Sequence, residues 1–229
     1  AMLSAARNYG IELPDRQLCC APIGSPEGQR YLGAMAAAAN FAFANRQLMA
    51  HQVRMTLEED LGWAPRRHGL RTVYDVCHNI AKIERRQVGG EPRRLCVHRK
   101  GATRALPPGD PELPDEYRET GQPVLIPGDM GRYSFVLAGR RGSEEAFCSS
   151  CHGAGRQMSR AAARKAAGGR RIEAELASIG IVLRATGKRT VLEEIPEAHK
   201  DVAEVVEAVD GAGLAGRVAR VRPLAVIKG

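Results

Sequence analysis

The sequence "AFCSSCHGAGRQMSR", Ala146 to Arg160, concentrates the most reactive residue types in the chain. Cys148-Ser-Ser-Cys151-His152 fits the C-x-x-C-H pattern of covalent haem attachment, which needs two thioethers and an axial imidazole. Glycine and arginine follow where an apolar haem pocket is wanted, and a zinc site would need a second ligand pair that Cys19-Cys20 and Cys77 do not provide. A third chemistry fits better. Gly153-Ala154-Gly155 lets backbone approach a phosphate closely, with a basic helix expected to begin just beyond. A neutral His152 imidazole there can attack phosphorus, and Arg156 can neutralise the nonbridging oxygens. On a helix running from Arg156, the side chains of Arg156, Arg160 and Arg164 share one face, where simple solvation is the plain alternative.

Two more clusters carry chemical potential. Cys77-His78-Asn79 is expected at the end of a buried strand, either as a metal or phosphate ligand or as a satisfied core histidine. His98-Arg99-Lys100-Gly101-Ala102-Thr103-Arg104 sets an imidazole and three cations around a glycine turn, an anion site or a solvated turn. Gly128-Asp129-Met130-Gly131 is a tight turn before a strand. Lys228 follows an apolar strand that could fix it in place.

The elements that must position these residues are legible in part. Ser25-Pro26-Glu27 reads as an N-cap with proline at the first helical position. The alanine-rich stretch from Gln29 to Leu61 is a helix long enough to invite a kink, ended by Gly62 and Pro65. Strands are expected at Thr72–Val76, Leu95–His98, Pro123–Ile126 and Tyr133–Ala138, and along the C-terminal "RVRPLAVIKG" to Ile227. A helix is expected over Lys200–Val209, and residues 106–117 form a proline-rich acidic loop. The irregular mixture points to a single α+β unit of mixed sheets with flanking helices.

Composition sets the outer bounds. The chain has 229 residues, 44% of them apolar, and can bury a sizeable core. Its net charge of +8 favours an anionic partner, nucleic acid or nucleotide phosphate, unless the excess serves only solubility. Six cysteines are too few for a disulfide scaffold, and "AMLSAARNYG" has no signal-peptide pattern, so a reducing cytoplasmic setting without membrane insertion is expected. Ala-Met ahead of sequence that reads as mid-domain suggests an artificial junction or the edge of a fragment.

Taken together, "DRQLCCAPIGSPEGQRYLGAMAAAANFAFANRQ", "YDVCHNIAKIE", "HRKGATRA", "GQPVLIPGDMGRYSF", "CHGAGRQMSR" and "AGRVARVRPLAVIKG" closely resemble the RtcB family of RNA ligases. They run in order over nearly the whole chain, and the C-x-x-C-H match then looks accidental. The resemblance implies GTP- and Mn²⁺-dependent joining of an RNA 3′-phosphate or 2′,3′-cyclic phosphate to a 5′-hydroxyl, in tRNA splicing or RNA repair. In that reading His152 is the nucleophile that forms a histidine–GMP intermediate, and His78 is a ligand of the Mn²⁺ pair. Guanylate contacts are implied for His78, Asn79, Pro127, Gly128, Asp129, Met130, Ser134, His152, Gly153, Ala154, Gly155 and Lys228. RNA-phosphate contacts are implied for Arg99, Arg156 and Arg160.

Asp129 stands where the family form has serine, which would be unfavourable beside GMP unless the carboxylate faces metal or water. His199 stands where tyrosine is expected. The family's other metal ligands and part of its guanine pocket lie in an N-terminal half, so residues 1–229 are expected to be the C-terminal part of one catalytic domain. Implied partners are tRNA halves or broken RNA ends, GTP, an archease activator and a separate N-terminal half. The alternative is a basic RNA- or GTP-binding fragment without catalysis.

Overall fold

A computed structural model describes residues 2–185 and 187–227. The chain divides into two compact units, Ala1–Ala81 and Lys82–Gly229, where the sequence pattern suggested one.

The first unit is helical. After α1 (Met2–Asn8), a short 3-10 turn at Arg16–Leu18 leads to α2 (Pro26–Glu59) and α3 (Pro65–His68). Ser25 Oγ accepts the Gly28 N–H at 3.1 Å and Pro26 occupies the first turn, as the sequence predicts. A Cβ on Gly28 would lie 2.4 Å from the Pro22 carbonyl oxygen, so glycine lets the preceding loop fold tightly against the helix start. With no proline after Pro26, α2 runs for 34 residues as one helix, without the expected break. Thr72–Val76 is not a strand. The segment has no strand assignment, Thr72 and Val73 are exposed, and it is tethered to α2 by Arg46 Nε donating to Asp75 Oδ1 at 2.7 Å.

The second unit is α+β. The boundary between the units falls inside β1 (Asn79–Val88), which turns through Gly89-Gly90, both at positive φ, into β2 (Glu91–Lys100). β3 (Ala102–Arg104) pairs antiparallel with β6 (Ser149–Cys151). A third sheet, in the order β4 (Pro123–Ile126), β5 (Ser134–Gly139), β7 (Ala215–Val221), is antiparallel throughout. The C-terminal strand therefore ends at Val221, short of Ile227, and residues 222–227 are exposed.

Four short helices complete the unit: α4 (Arg160–Ala166), α5 (Ile172–Ser178), α6 (Lys188–Glu193) and α7 (Val202–Gly211). Val202, Val206 and Val209 form the buried stripe of α7 and meet Val124, Ile126, Phe135 and Leu137 of the sheet. A separate helical cluster gathers Ala163, Ala167, Ile172, Leu176, Val191 and Ile195. No helix among the described residues is long and apolar enough to cross a membrane.

Candidate functional site

His152 follows β6 directly. Its backbone N–H donates to the Gly101 carbonyl at 3.1 Å, so the β3–β6 ladder extends to the histidine and fixes where its ring leaves the sheet. Beyond it the chain bends through Gly153 and Gly155, at φ +98° and +78°, a region closed to most side chains. Ala154 packs on the sheet core, and the Lys200 N–H donates to the Gly155 carbonyl at 3.1 Å. The His152 ring is half-buried at the start of this glycine loop.

A second loop approaches from between β4 and β5. A Cβ on Gly153 would stand 3.9 Å from the Pro127 ring, which brings the histidine loop and the Pro127–Met130 turn together. Ser134 is buried and its Oγ accepts the Gly128 N–H at 3.2 Å. Gly128 has no room for a side chain, since a Cβ would lie 2.2 Å from the Tyr133 carbonyl oxygen. Met130 packs against the helical cluster.

Asp129 resolves its own conflict. Its side chain is 1% exposed, with Oδ1 accepting the Gly131 N–H at 2.9 Å and Oδ2 3.0 Å from Arg132 Nε. Arg132 also reaches Asp201, at 3.4 Å. The carboxylate thus faces a guanidinium and a backbone donor within its own turn.

Pro127, Gly128, Asp129, Met130, Ser134, His152, Gly153, Ala154 and Gly155 are therefore gathered in one unit. His78 and Asn79 are exposed at the entry to β1, not at the end of a buried strand, and belong to the other unit. Lys228 lies outside the described residues. Among the described residues no three His, Cys, Asp or Glu side chains converge as a metal site, so the described residues do not by themselves supply the several donors that Mn²⁺ favours.

The three RNA-contact arginines separate. Arg99 is 3% exposed and grips Glu84 through Nη1–Oε1 at 2.6 Å and Nη2–Oε2 at 3.0 Å. Its remaining donors reach the Phe147 carbonyl at 2.9 Å and Ser149 Oγ at 3.0 Å. Those donors are engaged inside the protein, so Arg99 is no surface phosphate contact. Arg156 precedes α4, which starts only after the Ser159 N-cap, because residues 156–158 instead bond the 198–199 backbone. Its guanidinium holds Glu194 at 2.9 Å and the Glu193 carbonyl. The expected three-arginine helix face, and the helix end aimed at His152, are thereby corrected. Arg160 keeps a side chain 72% exposed, with Glu193 at 3.6 Å.

Glu84 is the residue that sequence reasoning missed. It lies inside "HNIAKIE", where the buried positions of β1, Ala81 and Glu84, are three apart with Ile83 exposed, so no alternation marks it in the sequence. Burial alone would raise its carboxyl, but the hydrogen bonds and charge of Arg99, with Arg86, outweigh that and hold it below the usual carboxylate range. The "HRKGATR" cluster divides likewise: Arg99 faces Glu84, and Arg104 is half-buried between Gln122 and Glu112, leaving His98 and Lys100 outward.

The haem option fails on packing. Cys148 is buried with Leu106 and Leu113, whereas Cys151 packs against the sheet core, so the two thiols lie in different apolar environments. Burial pushes both thiols upward, away from the reactive thiolate.

A family model described as tRNA-splicing ligase RtcB matches residues 1–229. The tRNA-splicing ligase RtcB of Archaeoglobus fulgidus is 53% identical over 226 residues, covering 98% of this chain and 47% of the relative. Its namesake in Thermococcus kodakarensis is 52% identical over 229 residues, covering 100% of this chain and 48% of the relative. The RNA-splicing ligase RtcB of Mycobacterium tuberculosis is 52% identical over 228 residues, covering 100% and 51%. The chain spans about half the length of these relatives. With a family model matched from the first residue to the last, and half of all positions identical to ligases from both archaea and bacteria, this chain belongs to the RtcB family.

Proposed function

We propose that this chain supplies the nucleophile half of a GTP-dependent RNA ligase that joins 3′-phosphate or 2′,3′-cyclic phosphate ends to 5′-hydroxyl ends, in tRNA splicing or RNA repair. A His152 ring nitrogen attacks the α-phosphorus of GTP, the bond to the β-phosphate oxygen breaks, and pyrophosphate departs. The ring loses its N–H proton to solvent, leaving a histidine–GMP phosphoramidate. An oxygen of the RNA 3′-phosphate then attacks that phosphorus, the P–N bond breaks, and the imidazole is regenerated. Finally the 5′-hydroxyl oxygen attacks the activated 3′-phosphorus, and GMP leaves with the bonding electrons. A cyclic end is first opened by water to the 3′-phosphate.

The observation that carries this reading is the meeting of the two loops, with the half-buried His152 on a glycine turn beside Pro127. Two glycines at positive φ and the crowded Gly128 leave backbone, rather than side chains, to face the reacting phosphate. The family's Mn²⁺ pair belongs to the same reading, with His78 as one ligand and the rest from residues beyond this chain. No step above is assigned to it. An archease-type activator and the remaining half of the family sequence are the partners this reading expects.

The test is incubation with α-labelled GTP and Mn²⁺, with and without the missing half supplied separately, followed by a denaturing gel. Acid-labile, alkali-stable label is expected, and His152→Ala abolishes it while leaving nucleotide binding in place. Label that never appears, even in trans, would sink the mechanism and leave a non-catalytic binder.

A further inference from the structure

We propose that the solvent face of the β1–β2 hairpin is a docking track for the RNA strand that enters the His152 site, held by its phosphates rather than its bases. This deepens the ligase reading and rests on it. On the outward face of the hairpin Arg85, Arg94 and Lys100 are exposed with no carboxylate among them, while the hairpin's one exposed carboxylate, Glu91, is 3.7 Å from Arg93 on the opposite face, the face of Lys82. Elsewhere in the unit Arg104, Arg118, Arg132, Arg140, Arg156 and Arg164 each face a carboxylate. Arg141, Arg171, Arg184 and Arg222 are, among the described residues, exposed without an ion pair but lie on four separate segments of the chain. Among the described residues Arg85 and Arg94 form no ion pair. They stand four residues to either side of the Gly89-Gly90 turn, on strands that are neighbours in the sheet. Like charges gathered on one sheet face repel unless an anion covers them.

Geometry favours a continuous polyanion. Alternation turns Glu84, Val97 and Arg99 inward, and Arg85, Arg94, His98 and Lys100 outward. Same-face residues recur at roughly 6.6 Å along a strand, and Arg94 to Gly101 spans roughly 23 Å. The track ends beside the nucleophile, because the Gly101 carbonyl is the acceptor of the His152 N–H. Phosphate contacts of this kind fix register without reading sequence.

The test compares the parent chain with Arg85→Gln/Arg94→Gln, titrating single-stranded RNA of about twelve nucleotides across a salt series, within the usual single-strand site sizes. Arg16→Gln/Arg66→Gln removes equal charge from exposed positions in the other unit and serves as control. The hairpin variant is expected to bind the twelve-mer roughly five- to tenfold more weakly, with a salt slope flatter by about 1.4, at about 0.7 per lost phosphate contact. Binding of a trinucleotide 3′-phosphate, too short to reach Arg94, stays within twofold, and so does histidine–GMP labelling wherever the parent labels. An unchanged slope, an equal loss in the control, an equal loss for the trinucleotide, or displacement by polyglutamate as effective as RNA would each overturn the proposal. A parent that binds RNA through the hairpin but never labels refutes the ligase reading while leaving the track in place.

Discussion

Glu84 and Arg99 are charged, with side chains 2% and 1% exposed, so their contribution depends on both remaining ionised. Removing one partner of a buried pair leaves an uncompensated charge and costs about 3–5 kcal/mol. Arg99→Ala is therefore expected to destabilise the chain by that order in urea denaturation, with the turn at Phe147 and Cys148 loosening first. Both residues there sit at positive φ without being glycine, at +52° and +51°, and the Arg99 bond to the Phe147 carbonyl helps hold them. Arg99→Lys keeps the charge but lacks the planar fork, so it recovers only part of the loss. The same pair sets a pH dependence. The folded Glu84 pKa lies below its ordinary 4.5, so its stabilisation is complete above that value and is lost as pH falls through the folded value. Acid titration of unfolding below pH 4.5 should show this drop, and Glu84→Gln should flatten it while lowering stability at neutral pH. A Glu84→Gln profile that superimposes on the parent would show that the pair does not govern acid stability. Two residues separate Ser149 from His152, so loosening here also slackens the strand that leads into His152.

At the scale of elements, helix starts and loop glycines carry the folding information. Ser25→Ala is expected to cost about 1 kcal/mol through loss of the α2 cap. Gly28→Ala should cost more, because its Cβ would collide with the Pro22 and Ile23 carbonyls, which cannot move without releasing the loop. Circular dichroism melts of the two variants rank them, and an equal effect would contradict the steric account. Gly128→Ala makes a functional counterpart: the Tyr133 carbonyl lies 2.2 Å from the new Cβ, so the Pro127–Met130 turn must open. Loss of the GMP label with little loss of helix content is expected. These features were readable in the sequence because capping residues, proline and glycine act locally, as do the runs that form β4, β5 and α7. The failures have a common physical cause. Thr72–Val76 has strand composition but forms no strand, and Asp75 is tethered by Arg46, 29 residues away. Arg156 has helical neighbours, yet its backbone bonds to a segment some forty residues on. Arg99 reads as a surface cation until Glu84 is placed opposite it. In each case a long-range partner decided the matter, and spacing within a short window does not encode such partners. The Pro127–Met130 turn and the bend at Gly153 and Gly155 were more legible than the fold around them, since they are built from glycine and proline, whose constraints are local.

For the whole molecule, the consequential fact is that the two histidines proposed for the reaction fall in different units. His78 belongs to Ala1–Ala81 and His152 to Lys82–Gly229, and no group of three potential ligands gathers among the described residues. Mn²⁺ sits at the weak end of the divalent series and favours several oxygen or imidazole donors, so a single histidine holds it poorly. The chain alone is therefore expected to leave most Mn²⁺ free when mixed in equal amount at micromolar concentration. The six-line resonance of hydrated Mn²⁺ reads this directly, and His78→Ala should leave the spectrum unchanged. Adding the other half of the family sequence, which accounts for the remaining length of the relatives, should quench the signal, and in that mixture His78→Ala should restore part of it. Quenching by the chain alone would move the search for the metal site inside these 229 residues. Quenching that needs the second half but ignores His78 would remove this histidine from the metal set, while leaving His152 to be judged by the GMP label.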